Sequence, residues 1–239
     1  MHANYHAVPE LMYQSWNHIS FLHWRYSAAS LQDRLPAGLE VDTDGESGWI
    51  SITPFLLENL RTSWLPPLPW ISRFPETNLR TYVRGPAGPG IWFFSLDAAR
   101  LPAVFAARAT FGLPYYWAQM RVRVDHRNVN YQSIRGRQAA AAIQVQIGES
   151  CRSDAQSEFL TARYRLYATY MDRLISVAVR HQPWPLCHAR VLQLEQTLTS
   201  AAGLQVQAQP DLIHYSAGVD VRFLRSEVVD TRLLSKHRQ

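Results

Sequence analysis

The segment TNLRTYVR–GPAGPG–IWFFSLDA, residues 77–98, constrains the fold more than any other stretch of the chain. Two runs rich in β-branched and aromatic residues flank a connection made only of glycine, proline and alanine, which reads as an antiparallel hairpin. No helical pattern follows GPAGPG, so it is a hairpin tip and not a phosphate-binding loop. Similar runs recur along the chain. QSWNHISFLHWRY (14–26) reads as a strand with faces Trp16/His18/Ser20/Leu22/Trp24 and Asn17/Ile19/Phe21/His23/Arg25. LPAGLEVDTDGESGWISITPF reads as a second hairpin turning at Asp44-Gly45. Strand character continues in YYWAQMRVRVDHRNVNYQSIR, AAAAIQVQIG, ARYRLYATYMDRLISVAVRHQPW and HYSAGVDVRFLRSEVV.

Helical patterns are few. RLPAVFAARATFG reads as a helix of about three turns closed by Gly112. Short helices are expected at Ser30–Leu35 and Ser153–Thr161. ARVLQLEQTLTSAAGL is open between strand and helix, with Gly203 favouring helix near its end. SWLPPLPWISRFP (63–75) has too many prolines for a helix or central strand and reads as a long ordered loop, either a lid or an aromatic flap. The expected fold is α+β, mostly β: roughly ten strands in an antiparallel β-barrel or strongly curved sheet with a few short helices. At 239 residues this is expected to be a single domain over 1–239.

Charge excludes one chemistry outright. Of 24 basic side chains a single one is lysine, Lys236, in the C-terminal tail. Arginine keeps its proton, so no interior amine is available to form a Schiff base. The arginines are scattered without a dense block, so a nucleic-acid partner is not expected. Cys151 and Cys187 have no metal-ligand spacing, and no metal or cofactor is expected. No apolar run approaches the roughly 20 residues of a membrane span, and no secretion signal is recognisable, so a cytoplasmic protein without a membrane partner is expected. Homo-oligomerisation is left open.

The candidate site residues come from faces and turns. In FPETNLRTYV, an extended backbone puts Glu76, Asn78, Arg80 and Tyr82 on one face, which is either solvated or lines a polar cavity. Along the helix, Leu101, Val104, Phe105 and Arg108 form an i, i+3, i+4, i+7 stripe, which places Arg108 toward the core. A buried arginine there needs a carboxylate or an anionic ligand. His23 is either a core histidine or a ligand contact, and His181 either a base or a turn stabiliser. After the Gly112-Leu113-Pro114 turn, Tyr115 and Tyr116 face opposite sides, and whichever points inward can donate a hydrogen bond to a carbonyl or enolate oxygen.

In order, FLHW, WISITPF, FPETNLRTYV, GIWFFSLDA, ARATFGLPYYWAQM, LTARYRLY, HQPWPL and HYSAGVDV resemble the YqjF-like family, domain of unknown function 2071, over nearly the whole chain. MDRL departs from the looser turn of relatives. That family is similar to the acetoacetate-decarboxylase-like superfamily, which implies a β-barrel with a small-molecule cavity. Decarboxylases of that superfamily carry a Gly-aromatic-Pro-Lys-Lys segment whose first lysine forms the Schiff base. Here the comparable stretch is Gly112-Leu113-Pro114-Tyr115-Tyr116, so the resemblance puts Tyr115 in place of the amine, Glu76 near the cavity glutamate and Arg108 near the arginine that precedes the lysine segment. It implies a bacterial protein binding a small organic acid or carbonyl compound without Schiff-base decarboxylation. Arg80 or Arg108 would meet a carboxylate, Tyr115 a carbonyl, and Glu76 would serve as acid or base. A lyase, hydratase or isomerase using Glu76, and a filled structural or partner-binding barrel, are the alternatives.

Overall fold

The structure, a computed structural model, describes residues 10–64, 66–206 and 208–229. Lys236 lies outside them. The chain opens with one long strand, β1 (Glu10–Ser27), followed by a short helix α1 (Ala28–Gln32), the two-residue β2 (Glu40–Val41) and β3 (Ser47–Thr62). After the proline-rich loop come β4 (Phe74–Gly85), β5 (Gly88–Ala98), helix α2 (Leu101–Phe111) and the short β6 (Tyr115–Trp117). A meander follows: β7 (Gln119–Asp125), β8 (Asn128–Arg135) and β9 (Ala139–Ser150). Helix α3 (Ala155–Thr161) leads into β10 (Arg165–Tyr170), β11 (Arg173–His181) and β12 (Leu186–Gln196). Helix α4 (Leu198–Ala201), β13 (Leu212–Leu224) and β14 (Glu227–Val228) complete it.

The strands form one continuous sheet ordered β14-β11-β10-β5-β4-β3-β1-β13-β12-β9-β8-β7, and an added β11–β13 pairing joins its first part into a ring. Pairing is antiparallel except where β5 runs parallel to β10 and to β6. The two larger of four apolar clusters among the described residues lie along this path. Ile19 and Phe21 of β1, with Phe55, Phe74, Trp184 and Val221, belong to one. Leu22 and Trp24 of β1 join Ile50, Ile52, Leu79, Ile143 and Val145 in the other, so the β12-β9-β8 arm covers the opposite face of β1, β3 and β4. The central parts of these strands are buried on both sides, so the polar residues there, such as His23, Ser51, Glu76 and Arg80, are buried too.

A β-bulge decides which residues face the ring interior. Between Asn17 and Leu22, β1 uses five residues against four of β3, and His18 has a φ of 49°. The extra residue shifts the alternation by one. Trp16 therefore packs with Phe55 and Trp184 on the same side as Ile19 and Phe21, although strict alternation puts it opposite them.

The structure also revises several boundaries. Fourteen strands appear among the described residues instead of about ten. Asp44 and Ser47 make only an isolated bridge around Gly45, and β2 pairs with β4, so the expected hairpin at Asp44-Gly45 is reduced to a tight turn. The first helix lies at Ala28–Gln32, capped by Ser27, earlier than Ser30–Leu35. The ambiguous 189–204 stretch is strand and then helix, split at Gln196. Met171 and Asp172 both have positive φ, 48° and 58°, which makes MDRL a tight two-residue hairpin normally built on Asn-Gly. Among the described residues, no helix is long and apolar enough to cross a membrane.

Candidate functional site

A cavity of about 340 Å³ opens between the ring interior, helix α2 and the start of the proline-rich loop. Its walls are mostly apolar, with Trp16, Phe74, Phe93, Leu96 and Phe111 among them. The polar side chains at its lining are few: Glu76, Asn78, Tyr115, Gln14 and the threonines Thr62 and Thr110.

Tyr115 reaches this cavity because of the turn before it. Gly112 closes α2 in the left-handed region, φ 61°, and its N–H donates to Arg108 O. Any Cβ at Gly112 would collide with the Thr169 carbonyl oxygen, so only glycine fits. Leu96 N–H then donates to Pro114 O (3.0 Å), and β6 pairs in parallel with β5, Leu96 opposite Tyr115 and Asp97 opposite Tyr116. The phenol of Tyr115 donates to the Glu76 carboxyl, 3.2 Å from each oxygen.

Glu76 comes from β4 and is only 3% exposed. Burial pushes its pKa up to about 8, against the opposing hydrogen bonds of Tyr115 and Asn78, and nearby Asp97 adds to the rise. At neutral pH this carboxyl is mainly protonated, a hydrogen-bond donor as well as an acceptor. Burial, then Glu76, hold the Tyr115 phenol well above its usual value. Asn78, 5% exposed, stands beside Glu76 with its Oδ1 lacking a partner.

The polar face predicted on β4 is real and lies inside the ring: Glu76, Asn78, Arg80 and Tyr82 are all buried. The solvated alternative is thereby removed. The face divides in function. Glu76 and Asn78 line the cavity, whereas Arg80 and Tyr82 turn to the last residues of α3. Arg80 Nη2 donates to Leu160 O at 3.4 Å and its guanidinium lies over the rings of Phe21 and Tyr82. Tyr82 donates to the same carbonyl at 2.9 Å, and Trp184 Nε1 donates to Thr161 O. Carbonyls at a helix C-terminus otherwise lack partners, and a cation there is favourable. Arg80 makes no ion pair with a carboxylate among the described residues.

His23 is fully buried, shares hydrogen bonds with Ser51 (2.5 Å) and Tyr82 (3.1 Å), and is held well below the usual histidine pKa by burial and then by Arg80. It is a core histidine outside the cavity lining. His181 sits between the rings of Tyr164 and Trp184 and donates from Nδ1 to Gln182 O, also away from the cavity.

Arg108 is a correction. It is exposed, as are Leu101 and Phe105, so of the stripe read as core-facing only Val104 is buried. The inner face of α2 instead presents Ala103, Ala106, Ala107 and Thr110 to the cavity. Arg108 Nε donates to Tyr115 O at 2.6 Å, and its guanidinium lies 5.4 Å from the Tyr116 ring. Tyr116 faces away from Tyr115 and is covered more closely by Arg135, which pairs with buried Asp97. The alternation of the two tyrosines thus holds, with Tyr115 the inward one. Gln14, Trp16 and the alanine face of α2 escaped sequence reasoning. The legible signal was the run of alanines, since small residues on one helix face leave space beneath it. Among the described residues, no three His, Cys, Asp or Glu side chains gather as metal ligands would.

Comparison with known proteins agrees with this architecture. The family profile DUF2071, described as an uncharacterized conserved protein, matches residues 13–220. A Bacillus subtilis (strain 168) protein described as uncharacterized protein YqjF is 38% identical over 225 residues, covering 91% of this chain and 93% of the relative. Among solved structures, acetoacetate decarboxylase from Legionella pneumophila superposes with a TM-score of 0.68 at 15% identity, covering 93% of this chain and 89% of the other. An acetoacetate decarboxylase-like enzyme from Sphingomonas wittichii RW1 gives 0.65 at 13% identity, with 93% and 94% covered. The enduracididine biosynthesis enzyme MppR, in complex with pyruvate, gives 0.66 at 12% identity, with 96% and 94% covered.

Proposed function

Since the chain belongs to the DUF2071 family and has an acetoacetate-decarboxylase-like fold, we propose that its cavity binds a small carbonyl compound that is neutral rather than anionic. The observation that carries this reading is the Glu76–Tyr115 pair set in an otherwise mostly apolar cavity whose lining, among the described residues, includes no arginine, lysine or histidine. A carboxylate entering it would find no cation among the described lining residues, and burying an unpaired carboxylate is costly. A ketone or aldehyde needs only a donor for its oxygen and apolar walls for its body. Tyr115 and protonated Glu76 are the donors, and Asn78 orients the glutamate. Arg80 and Arg108, the cations expected to meet an acid, lie outside the lining, so an organic acid is the less favoured class. The pyruvate bound by MppR carries a ketone and a carboxylate, so it matches the carbonyl part of this reading and not the neutral part. Iminium chemistry is not part of the proposal, because the sequence supplies no lysine except Lys236.

A thermal-shift comparison tests this. Short neutral ketones and aldehydes are set against carboxylates of the same skeleton. A ligand at about 100 times its Kd adds about 2.7 kcal/mol, a shift of several degrees at this size. Neutral carbonyls are expected to stabilise the protein, Tyr115→Phe and Glu76→Ala to abolish the shift, and Arg108→Ala to leave it unchanged. Carboxylates stabilising as well as ketones would overturn the proposal.

The pKa near 8 favours a second reading, proton transfer next to the bound carbonyl. The ionised Glu76 takes a proton from the α-carbon, the C–H electrons form the enolate double bond, and the carbonyl electrons move to an oxygen held by the Tyr115 O–H. Return of the proton completes an isomerisation or exchange. Incubation of a stabilising ketone in D₂O, followed by NMR, is expected to show α-deuteration that Glu76→Gln abolishes. No exchange at saturation eliminates this step.

A further inference from the structure

Helix α2 divides its large side chains between the core and solvent. Val104 and Phe111 are buried, whereas Leu101 and Phe105 face outward although apolar. Phe105 is 62% exposed. Alongside, the proline-rich loop exposes Trp64 (68%), Leu68 and Trp70 (83%). The two segments are tied together, since Arg100 Nε donates to Trp70 O at 2.6 Å. Both border the cavity mouth, where Trp64 and α2 share the lining. Exposed apolar groups scattered singly need no explanation, but several large ones around one opening do.

Charge identifies the partner. Residues 59–75 and 98–124 contain no aspartate or glutamate, yet they carry arginines 61, 73, 100, 108, 121 and 123, all exposed. Arg73, Arg100 and Arg121 line a shallow groove with Trp70. Of these six, Arg73 alone is ion-paired among the described residues, with Glu58. Exposed tryptophan, phenylalanine and leucine set among arginines match the interface of an anionic bilayer, where the rings enter the headgroup boundary and the guanidinium groups meet phosphates. A second copy applying the same face would oppose these arginines to one another. We propose that the face formed by α2 and the 63–73 loop docks on an anionic lipid surface, with the cavity mouth opening toward it. This needs no spanning segment, and it revises the expectation of no membrane partner, which rested on the lack of one. The docking is independent of which ligand the cavity takes.

The test uses the full chain with vesicles of phosphatidylglycerol and phosphatidylcholine, and with phosphatidylcholine alone. Flotation is expected with the anionic vesicles and loss of binding at about 1 M salt, where the Debye length is about 3 Å. Tryptophan fluorescence is expected to be quenched by brominated acyl chains. The double variant Trp70→Ser/Phe105→Ser alters only exposed side chains, and it should keep its Tm while partitioning at least about tenfold less. Leu192→Ser, an exposed site on β12, should partition like the unmodified protein. No flotation with anionic vesicles at low salt overturns the proposal. So does undiminished partitioning of the double variant, which would reduce the effect to net charge. A drop from dimer to monomer mass in the double variant, measured by light scattering, would assign the face to self-association and overturn it as well.

Discussion

Replacing Glu76 by glutamine removes one titration while keeping the side chain's shape, and the consequence can be worked out. The folded carboxyl titrates near 8, against 4.5 for the ordinary group. Below the lower value both the folded and unfolded chains hold the proton, and the group has no effect on stability. Between the two values the unfolded chain releases it while the folded chain keeps it, so stability falls as pH rises. The slope is about 1.4 kcal/mol per pH unit, and the full span amounts to at most about 5 kcal/mol. The buried histidines act in the opposite sense. Burial lowers the pKa values of His18, His23, His181 and His214, so their contribution is present above the ordinary histidine pKa and is lost as pH falls. They are common to both proteins and cancel in the difference. Urea unfolding from about pH 5 to pH 7 should therefore show the unmodified protein losing about 2–3 kcal/mol relative to Glu76→Gln. Parallel stability curves would contradict this account, because they would mean that Glu76 is ionised and solvated in the folded protein.

Three further outcomes are expected. Gly112→Ala combines the left-handed φ with a collision against the Thr169 carbonyl, and should cost at least about 2 kcal/mol, read as a Tm lowered by several degrees. Asp97→Ala leaves Arg135 nearly buried without its carboxylate and should destabilise by about 3–5 kcal/mol in urea unfolding. Ala107→Phe projects a ring from α2 into the cavity, and it should abolish ligand-induced thermal shifts while circular dichroism stays unchanged.

The candidate site was partly legible in the sequence. Glu76 and Asn78 could be found because two-residue alternation on β4 is local, and the structure retains it. Tyr115 could be found because a glycine–proline turn dictates the direction of the strand after it. Arg108 was misplaced because helical periodicity identifies a stripe but not which of its members the core covers: Val104 is buried and Arg108 is not. On α2 the ring presents a cavity where a packed core was expected, and alanines suffice to roof it. Arg80 shares the face of Glu76, yet its destination depends on the C-terminus of α3, eighty residues further along.

Residue order alone accounts for the strand character of most of the chain, the 77–98 hairpin, the helix ending at Gly112, and the lack of any lysine but Lys236. These are consequences of local propensity, turn chemistry and residue identity, none of which depends on distant partners. Long-range packing supplied the rest. The bulge at His18 turned Trp16 to the ring interior, and the β11–β13 pairing closed the ring. Burial between β4, β6 and α2 then raised Glu76 to a pKa near 8. Each of these depends on which segments far apart in sequence exclude water from one another, and no local pattern of residues encodes that.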